Sequence, residues 1–131
     1  MIHLDTSILV DALTGPRRSA PALRRAIEQG ERVVCSTIVL YEWLRGPRAS
    51  AELSAQEALF PRETAAAFGV EEASIAAELY RKARRGRGRE IDLAIAAVAL
   101  AQDAELWTLN AEDFRDIRSL KLYNPPGPEG R

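Results

Sequence analysis

Ile2-His3-Leu4-Asp5-Thr6-Ser7-Ile8-Leu9-Val10-Asp11-Ala12-Leu13 is the stretch on which the reading of the whole chain turns. Ile2 to Leu4 is a short apolar run, and Asp5-Thr6-Ser7 supplies side-chain oxygens able to cap a helix. Ile8, Leu9, Ala12 and Leu13 then recur at helical spacing, so the stretch predicts a strand feeding directly into a helix.

Working outward, Gly15-Pro16 breaks this helix, and a second runs from Ser19 to Gln29 with Ala22, Leu23, Ala26 and Ile27 on one stripe before Gly30. Arg32 to Cys35, with its adjacent valines, predicts a second buried strand; Ser36 caps a helix over Thr37 to Arg45 that Gly46-Pro47 stops. Ala51 to Leu59 reads as helix and Pro61 interrupts it. Glu63 to Gly69 stays open, since its alanines favour helix and its position favours a short strand. Helices follow over Glu71 to Arg84, with Ile75, Ala76 and Leu79 inward, and over Arg89 to Gln102, which is apolar almost all round and so belongs in the interior. Glu105 to Leu109 predicts a strand, Ala111 to Asp116 a helical turn, and Leu120 to Tyr123 a last short strand. Residues 124–131, opening with Asn124-Pro125-Pro126-Gly127-Pro128, predict an irregular tail after a single domain over 1–123.

Strands separated by helices pair in parallel through right-handed crossovers, which gives an α/β sandwich with a small central, mainly parallel sheet. Ligands of such sheets bind beyond the carboxyl ends of the strands. Asp5 ends the first strand and Asn110 to Asp113 follows the strand Glu105 to Leu109, so acids far apart in sequence meet at one rim.

Composition narrows the chemistry. The chain has 131 residues, 47% hydrophobic and 28% charged, which is globular composition. Eighteen basic and 19 acidic residues leave a net charge of -1, so any basic surface is local. One cysteine, Cys35, excludes an internal disulfide and a zinc ribbon; one histidine, His3, excludes a zinc site built on several imidazoles. Asp5 and Asp11 interrupt the apolar N-terminal run, and Ile91 to Ala101 contains Asp92 and falls short of the about 20 residues a membrane span needs. The expectation is a cytoplasmic protein without a membrane segment, whose chemistry rests on carboxylates.

Two carboxylates stand out of place. Glu42 shares a helical stripe with Ile38 and Val39, and Asp92 shares one with Ile95, Ala96 and Ala99. Burying an unpaired ionised carboxylate costs several kcal/mol, so each must be paired, neutralised or bound to a cation. Bland roles stay open: Asp5 as a helix cap, Asn110 and Asp113 as a capping box, Asp92 as first-turn acid, and Arg45 as partner of Glu42. Taken together, four acids on one rim need a cation, and hard oxygen donors favour Mg²⁺ or Mn²⁺. That combination points to metal-assisted hydrolysis.

Leu4-Asp5-Thr6-Ser7, Tyr41-Glu42 with Leu44-Arg45-Gly46, Asp92-Leu93-x-Ile95-Ala96-Ala97-x-Ala99, and Leu106-x-Thr108-x-Asn110-x-x-Asp113-Phe114 together resemble the PIN domain of VapC-type toxins. The ordered match runs from Ile2 to about Tyr123. The resemblance implies a PIN-like α/β/α sandwich and an Mg²⁺- or Mn²⁺-dependent endoribonuclease that cleaves structured RNA, tRNA or rRNA. It also implies a homodimer held inactive by a cognate antitoxin. Carried over by motif position, Asp5, Glu42 and Asp92 are the core metal-binding acids and Asp113 the fourth; the sequence itself also offers Asp116, one turn beyond Asp113, as a rival for the fourth position and Glu90 as a candidate outer acid. Thr6 orients a bound water or ligand, and Thr108 and Asn110 organise the pocket. The resemblance further implies attack by a metal-activated water, leaving 5′-phosphate and 3′-hydroxyl ends.

RNA needs a positive contact beside so acidic a pocket. Arg81, Lys82, Arg84, Arg85, Arg87 and Arg89 form a basic segment just before the Asp92 helix and are the candidates, although basic residues also suit a helix C-terminus and could face the antitoxin. Trp43 and Trp107 fall in apolar patterns and read as core, and Cys35 as a buried thiol. Two other functions compete: a catalytically idle PIN-fold module that binds RNA or protein, and an RNA-processing PIN nuclease without an antitoxin. Keeping all four acids disfavours the idle module, because nothing would then offset their desolvation.

Overall fold

The computed structural model describes residues 1–127. In chain order it holds β1 (Ile2–Leu4), α1 (Thr6–Leu13), α2 (Ala20–Glu28), β2 (Val33–Val34), α3 (Thr37–Arg45), α4 (Ser50–Leu59), α5 (Val70–Lys82), α6 (Glu90–Ala101) and β3 (Glu105–Trp107). One-turn 3₁₀ helices cover Arg62–Thr64 and Ala111–Asp113. The sheet runs β2-β1-β3 with both pairings parallel, so the strand opened by Ile2 is central and the chain winds away on both sides of it. Its carboxyl end is thus the switch point at which such sheets bind ligands.

Burial explains this placement. Ile2 and Leu4 are wholly enclosed, as a strand flanked on both edges and covered on both faces requires. Helix α6 is buried without interruption from Leu93 to Val98 and on to Ala99, the interior helix that its all-round apolarity predicts. Its alanines let α3 and α5 pack close against it.

Local capping accounts for several boundaries. Ser36 Oγ accepts the Val39 N–H at 3.2 Å and starts α3. Glu72 accepts the Gly69 N–H at 3.0 Å and starts α5. That helix stops at Lys82, two residues before the predicted Arg84, because Ala83 turns extended.

Elsewhere the short elements differ from expectation. Only Val33 and Val34 of the predicted strand Arg32 to Cys35 are strand. The open segment Glu63 to Gly69 combines both readings: a 3₁₀ turn, then Ala66 bridging Ser36 in parallel beyond β2. The predicted strand Leu120 to Tyr123 reduces to one bridge of Leu122 to Leu106, although the Trp107 and Tyr123 rings meet at 4.9 Å. Residues 124–127 hold no regular structure, and the rest of the expected tail, 128–131, lies outside the described residues. Among the described residues no helix is long and apolar enough to cross a membrane.

Candidate active site

Asp5 leaves β1 where its N–H still bonds to the Trp107 carbonyl at 2.9 Å, so the sheet ladder itself fixes the backbone that carries this acid. Its side chain is only 5% exposed and makes no cap to α1; Oδ2 instead accepts from Ser7 Oγ at 2.8 Å and Thr108 Oγ1 at 2.7 Å. Thr108 in turn accepts the Asn110 N–H at 2.9 Å, and Ser7 Oγ accepts the Leu109 N–H at 3.0 Å. Ser7 and Thr108 therefore tie the first acid to the loop after β3. Ser7 was visible only as part of the Asp-Thr-Ser run; its partner lies on the loop after the last strand, which local sequence does not reveal.

Glu42 projects from α3 over the same rim. Its Oε1 accepts from Thr6 Oγ1 at 2.5 Å and its Oε2 meets Arg45 at 3.3 Å, on the side where Arg45 is exposed. Asp92 stands in the first turn of α6. A helix N-terminus favours a carboxylate by about 0.3–1 kcal/mol, yet this carboxyl is pushed up from 3.8 to about 6. Burial is the main cause, followed by the like charges of Asp5, Asp113 and Glu42, with Arg89 opposing them. The charges of Asp5, Asp113 and Glu42 thus all act on Asp92.

A cleft of about 460 Å³ opens at this point, lined by Asp5, Thr6, Ser7, Asp11, Glu42, Asp92, Leu109 and Asn110 among others. Asp113 sits beside the cleft on the 3₁₀ turn after Asn110, and Asn110 makes no side-chain cap to that turn. Asp11 is an additional acid of the lining, held by Ser19 Oγ at 2.6 Å. As the side chains stand, no three metal-ligating groups among the described residues close on a single point. Glu42 is turned to Thr6 and Arg45, and Asp5 to Ser7 and Thr108. The donors are nevertheless all hard oxygens, and their mutual repulsion is the condition a divalent cation relieves.

The basic run divides. Arg81, Lys82, Arg84, Arg85 and Arg87 are exposed, with Lys82 paired to Glu78 at 2.7 Å. Arg89 is half-buried and bonded to Asp116 at 2.7 and 2.8 Å, a contact that holds the Asp116 carboxyl below the usual range. Glu90 accepts the Gly88 N–H at 2.9 Å. His3 is buried, its pKa lowered chiefly by that burial, and bonded to Gln102 at the far end of α6 from Asp92. Trp43 and Trp107 are core, and burial pushes the Cys35 thiol up to about 12, which leaves it protonated and inert.

The fold is a parallel three-stranded sheet with an acidic cleft at the carboxyl end of its central strand, and the family model of the PIN domain matches residues 2–120. The chain belongs to the PIN domain family. Within it, the sequence is 38% identical over 114 residues to the Ribonuclease VapC19 of Mycobacterium tuberculosis (strain ATCC 25618 / H37Rv), an overlap of 85% of this chain and 90% of that protein. Among solved structures, VapBC2 from Rickettsia felis bound to a DNA fragment from their promoter superposes with a TM-score of 0.70 at 25% identity, over 96% of this chain and 100% of that one. DNA-bound VapBC from Salmonella typhimurium gives 0.73 at 22% identity, over 93% and 96%, which shows the shared fold.

Proposed function

We propose that this chain is an Mg²⁺- or Mn²⁺-dependent endoribonuclease that cleaves structured RNA, tRNA or rRNA, and acts as the toxin of a toxin-antitoxin pair. The observation that carries the proposal is the gathering of Asp5, Glu42 and Asp92 from three separate elements around one cleft, with Asp113 beside it. Likeness to a ribonuclease supports the reaction class, and likeness to VapBC complexes supports an antitoxin partner; the homodimer rests on the family resemblance of the sequence motifs alone.

Asp5, Glu42, Asp92 and Asp113 are the residues that would hold the cation. Bound there, it supplies neutralisation of the charge developing on a phosphoryl oxygen and acidification of water. The chain's own part is positional. Ser7 and Thr108 fix the rotamer of Asp5, Thr6 restrains Glu42, and the rigid start of α6 presents Asp92. Arg81, Lys82, Arg84, Arg85 and Arg87 lie on one exposed stretch before α6, where they can take RNA phosphates.

The test is incubation of antitoxin-free protein with total tRNA and rRNA in Mg²⁺, in Mn²⁺ and in EDTA, beside the Asp92→Asn variant. Cleavage at discrete sites that needs the cation and vanishes in the variant is the expected result. Folded protein that binds RNA but cuts neither pool with either cation would transfer the assignment to a binding module.

A further inference from the structure

Asp113 has little of its own to hold it. It ends a 3₁₀ helix of three residues, and on the core side the chain beyond is anchored by Phe114, Ile117 and Leu120. On the solvent side, beside the local exposed pair of Arg115 with Glu112, the restraint that reaches it from another element is Arg89. This residue is the N-cap of α6, its carbonyl accepting the Leu93 N–H at 2.9 Å, and so it is built into the turn that presents Asp92. From there Nη1 and Nη2 donate to the two carboxylate oxygens of Asp116 at 2.8 and 2.7 Å, the parallel two-pronged geometry of a guanidinium on a carboxylate. Nη2 also donates to the Asp113 carbonyl at 2.9 Å, and Nη1 to the Arg85 carbonyl at 3.3 Å.

Building on the reading of the acidic cleft given above, we propose that Arg89 is a positioning residue: with Asp116 as its counterpart it clamps the Asp113 turn to the start of α6 and so sets the separation of Asp113 and Asp92. Two features of the geometry favour this over a role for either residue toward RNA or cation. A guanidinium carries five N–H donors, and four bonds within the protein already engage Arg89, leaving little with which to grip a phosphate. Asp116, for its part, has both oxygens committed to Arg89, whereas Asp113 lends the clamp only its backbone carbonyl and keeps its carboxylate free of it. Lysine cannot replace this fork, because a single ammonium cannot make the paired bonds and reach the Asp113 carbonyl in the same plane.

The experiment uses the full chain as wild type, Arg89→Ala, Arg89→Lys, Asp116→Ala, Arg89→Ala/Asp116→Ala and Asp113→Asn, each checked for cooperative thermal unfolding. It reads Mn²⁺ affinity by calorimetry, amide hydrogen exchange over residues 111–117, and kcat and KM for RNA. Either alanine variant is expected to weaken Mn²⁺ binding by about tenfold, as loss of an outer support does. Exchange in the 111–117 turn should accelerate, and kcat should fall with KM unchanged. The double variant should be no worse than either single one, since both remove the same clamp, and Arg89→Lys should fall between. Arg89→Ala raising KM alone, with Asp116→Ala like wild type, would overturn the proposal in favour of RNA contact. Asp116→Ala losing Mn²⁺ as fully as Asp113→Asn, with Arg89→Ala unaffected, would overturn it in favour of Asp116 as a ligand. Faster exchange with unchanged Mn²⁺ affinity would reduce the pair to a surface staple, and a wild type that binds no Mn²⁺ would overturn both the proposal and the cation reading. Clamp-dependent Mn²⁺ binding without any RNA cleavage would leave the clamp standing and remove only the ribonuclease assignment.

Discussion

At the scale of single residues, Asp92 sets the behaviour of the cleft. Its carboxyl titrates near 6 in the folded chain against an ordinary 3.8, so between those values the native state holds the extra proton. The group therefore contributes full stability below about pH 4, and that contribution drains away as pH rises through about 6. Asp92→Asn removes the repulsion, and EDTA-treated variant should exceed wild type at pH 7.5 by on the order of 1 kcal/mol, after allowance for the solvent that screens this half-exposed group. At pH 4 the two should coincide. Urea unfolding across pH 4 to 8 reads the difference, and a gap that does not vary with pH would remove Asp92 as its source. The same geometry predicts that Asp5→Asn, Glu42→Gln and Asp92→Asn each abolish RNA cleavage in folded protein, while full activity in any one would strike that residue from the site.

At the scale of elements, α3 and the edge strand β3 show how much of the packing is shape alone. Trp43 is wholly buried on α3, yet its indole N–H has no hydrogen-bond partner among the described residues, and Arg48 lies 4.1 Å above the ring. Trp43→Phe therefore gives up some contact and weakens a cation–π interaction but loses no side-chain hydrogen bond, and should cost about 1–2 kcal/mol. Leu106→Ala on β3, inside the same core, leaves a cavity in the sheet and should cost about 2–5 kcal/mol. Urea midpoints of the two variants check the ordering, and a Trp43→Phe cost as large as that of Leu106→Ala would mean that the indole N–H is bonded in solution.

Element identity was legible for the reason that element strength was. Helices α1, α2 and α3 repeat their apolar residues through full turns and stop near a glycine, signals that act within one turn, and α6 is legible as an unbroken apolar helix. The two-residue β2 and the lone Leu122 bridge are weaker, because a strand's length depends on how far its neighbour runs beside it. The bland alternative for Asp5 was equally reasonable from sequence: Asp is a favoured N-cap residue, and only the bonds from Ser7 and Thr108 show the carboxylate turned the other way.

At the scale of the whole molecule, a net charge of -1 conceals separation of the charges. Acids gather at the carboxyl end of the sheet, and the exposed arginines of residues 81–87 stand before the helix that carries Asp92. A cation that binds this cleft only in the folded state must stabilise the whole chain, by about 2.7 kcal/mol at a hundredfold excess over its dissociation constant. Scanning calorimetry at pH 7.5 should show Mn²⁺ raising the unfolding temperature, EDTA reversing the rise, and Asp5→Asn or Asp92→Asn suppressing it. A rise of equal size in those variants would place the cation elsewhere on the surface.

By itself the sequence determined the succession of strands and helices, a small parallel sheet, and the identity of the acids that had no apolar reason to be where they are; that the first strand is the central one came from the structure. Periodicity, capping chemistry and the cost of burying charge are properties of a few neighbouring residues, so they can be read along the chain. Only the tertiary structure decided who holds whom: Thr6 with Glu42 across 36 positions, Arg89 with Asp116 across 27, and Thr108 with Asp5 across 103. A hydrogen bond is made or lost over less than an ångström. Repeats of 3.6 or 2 residues state which face a side chain occupies, and packing alone brings two such faces within that distance.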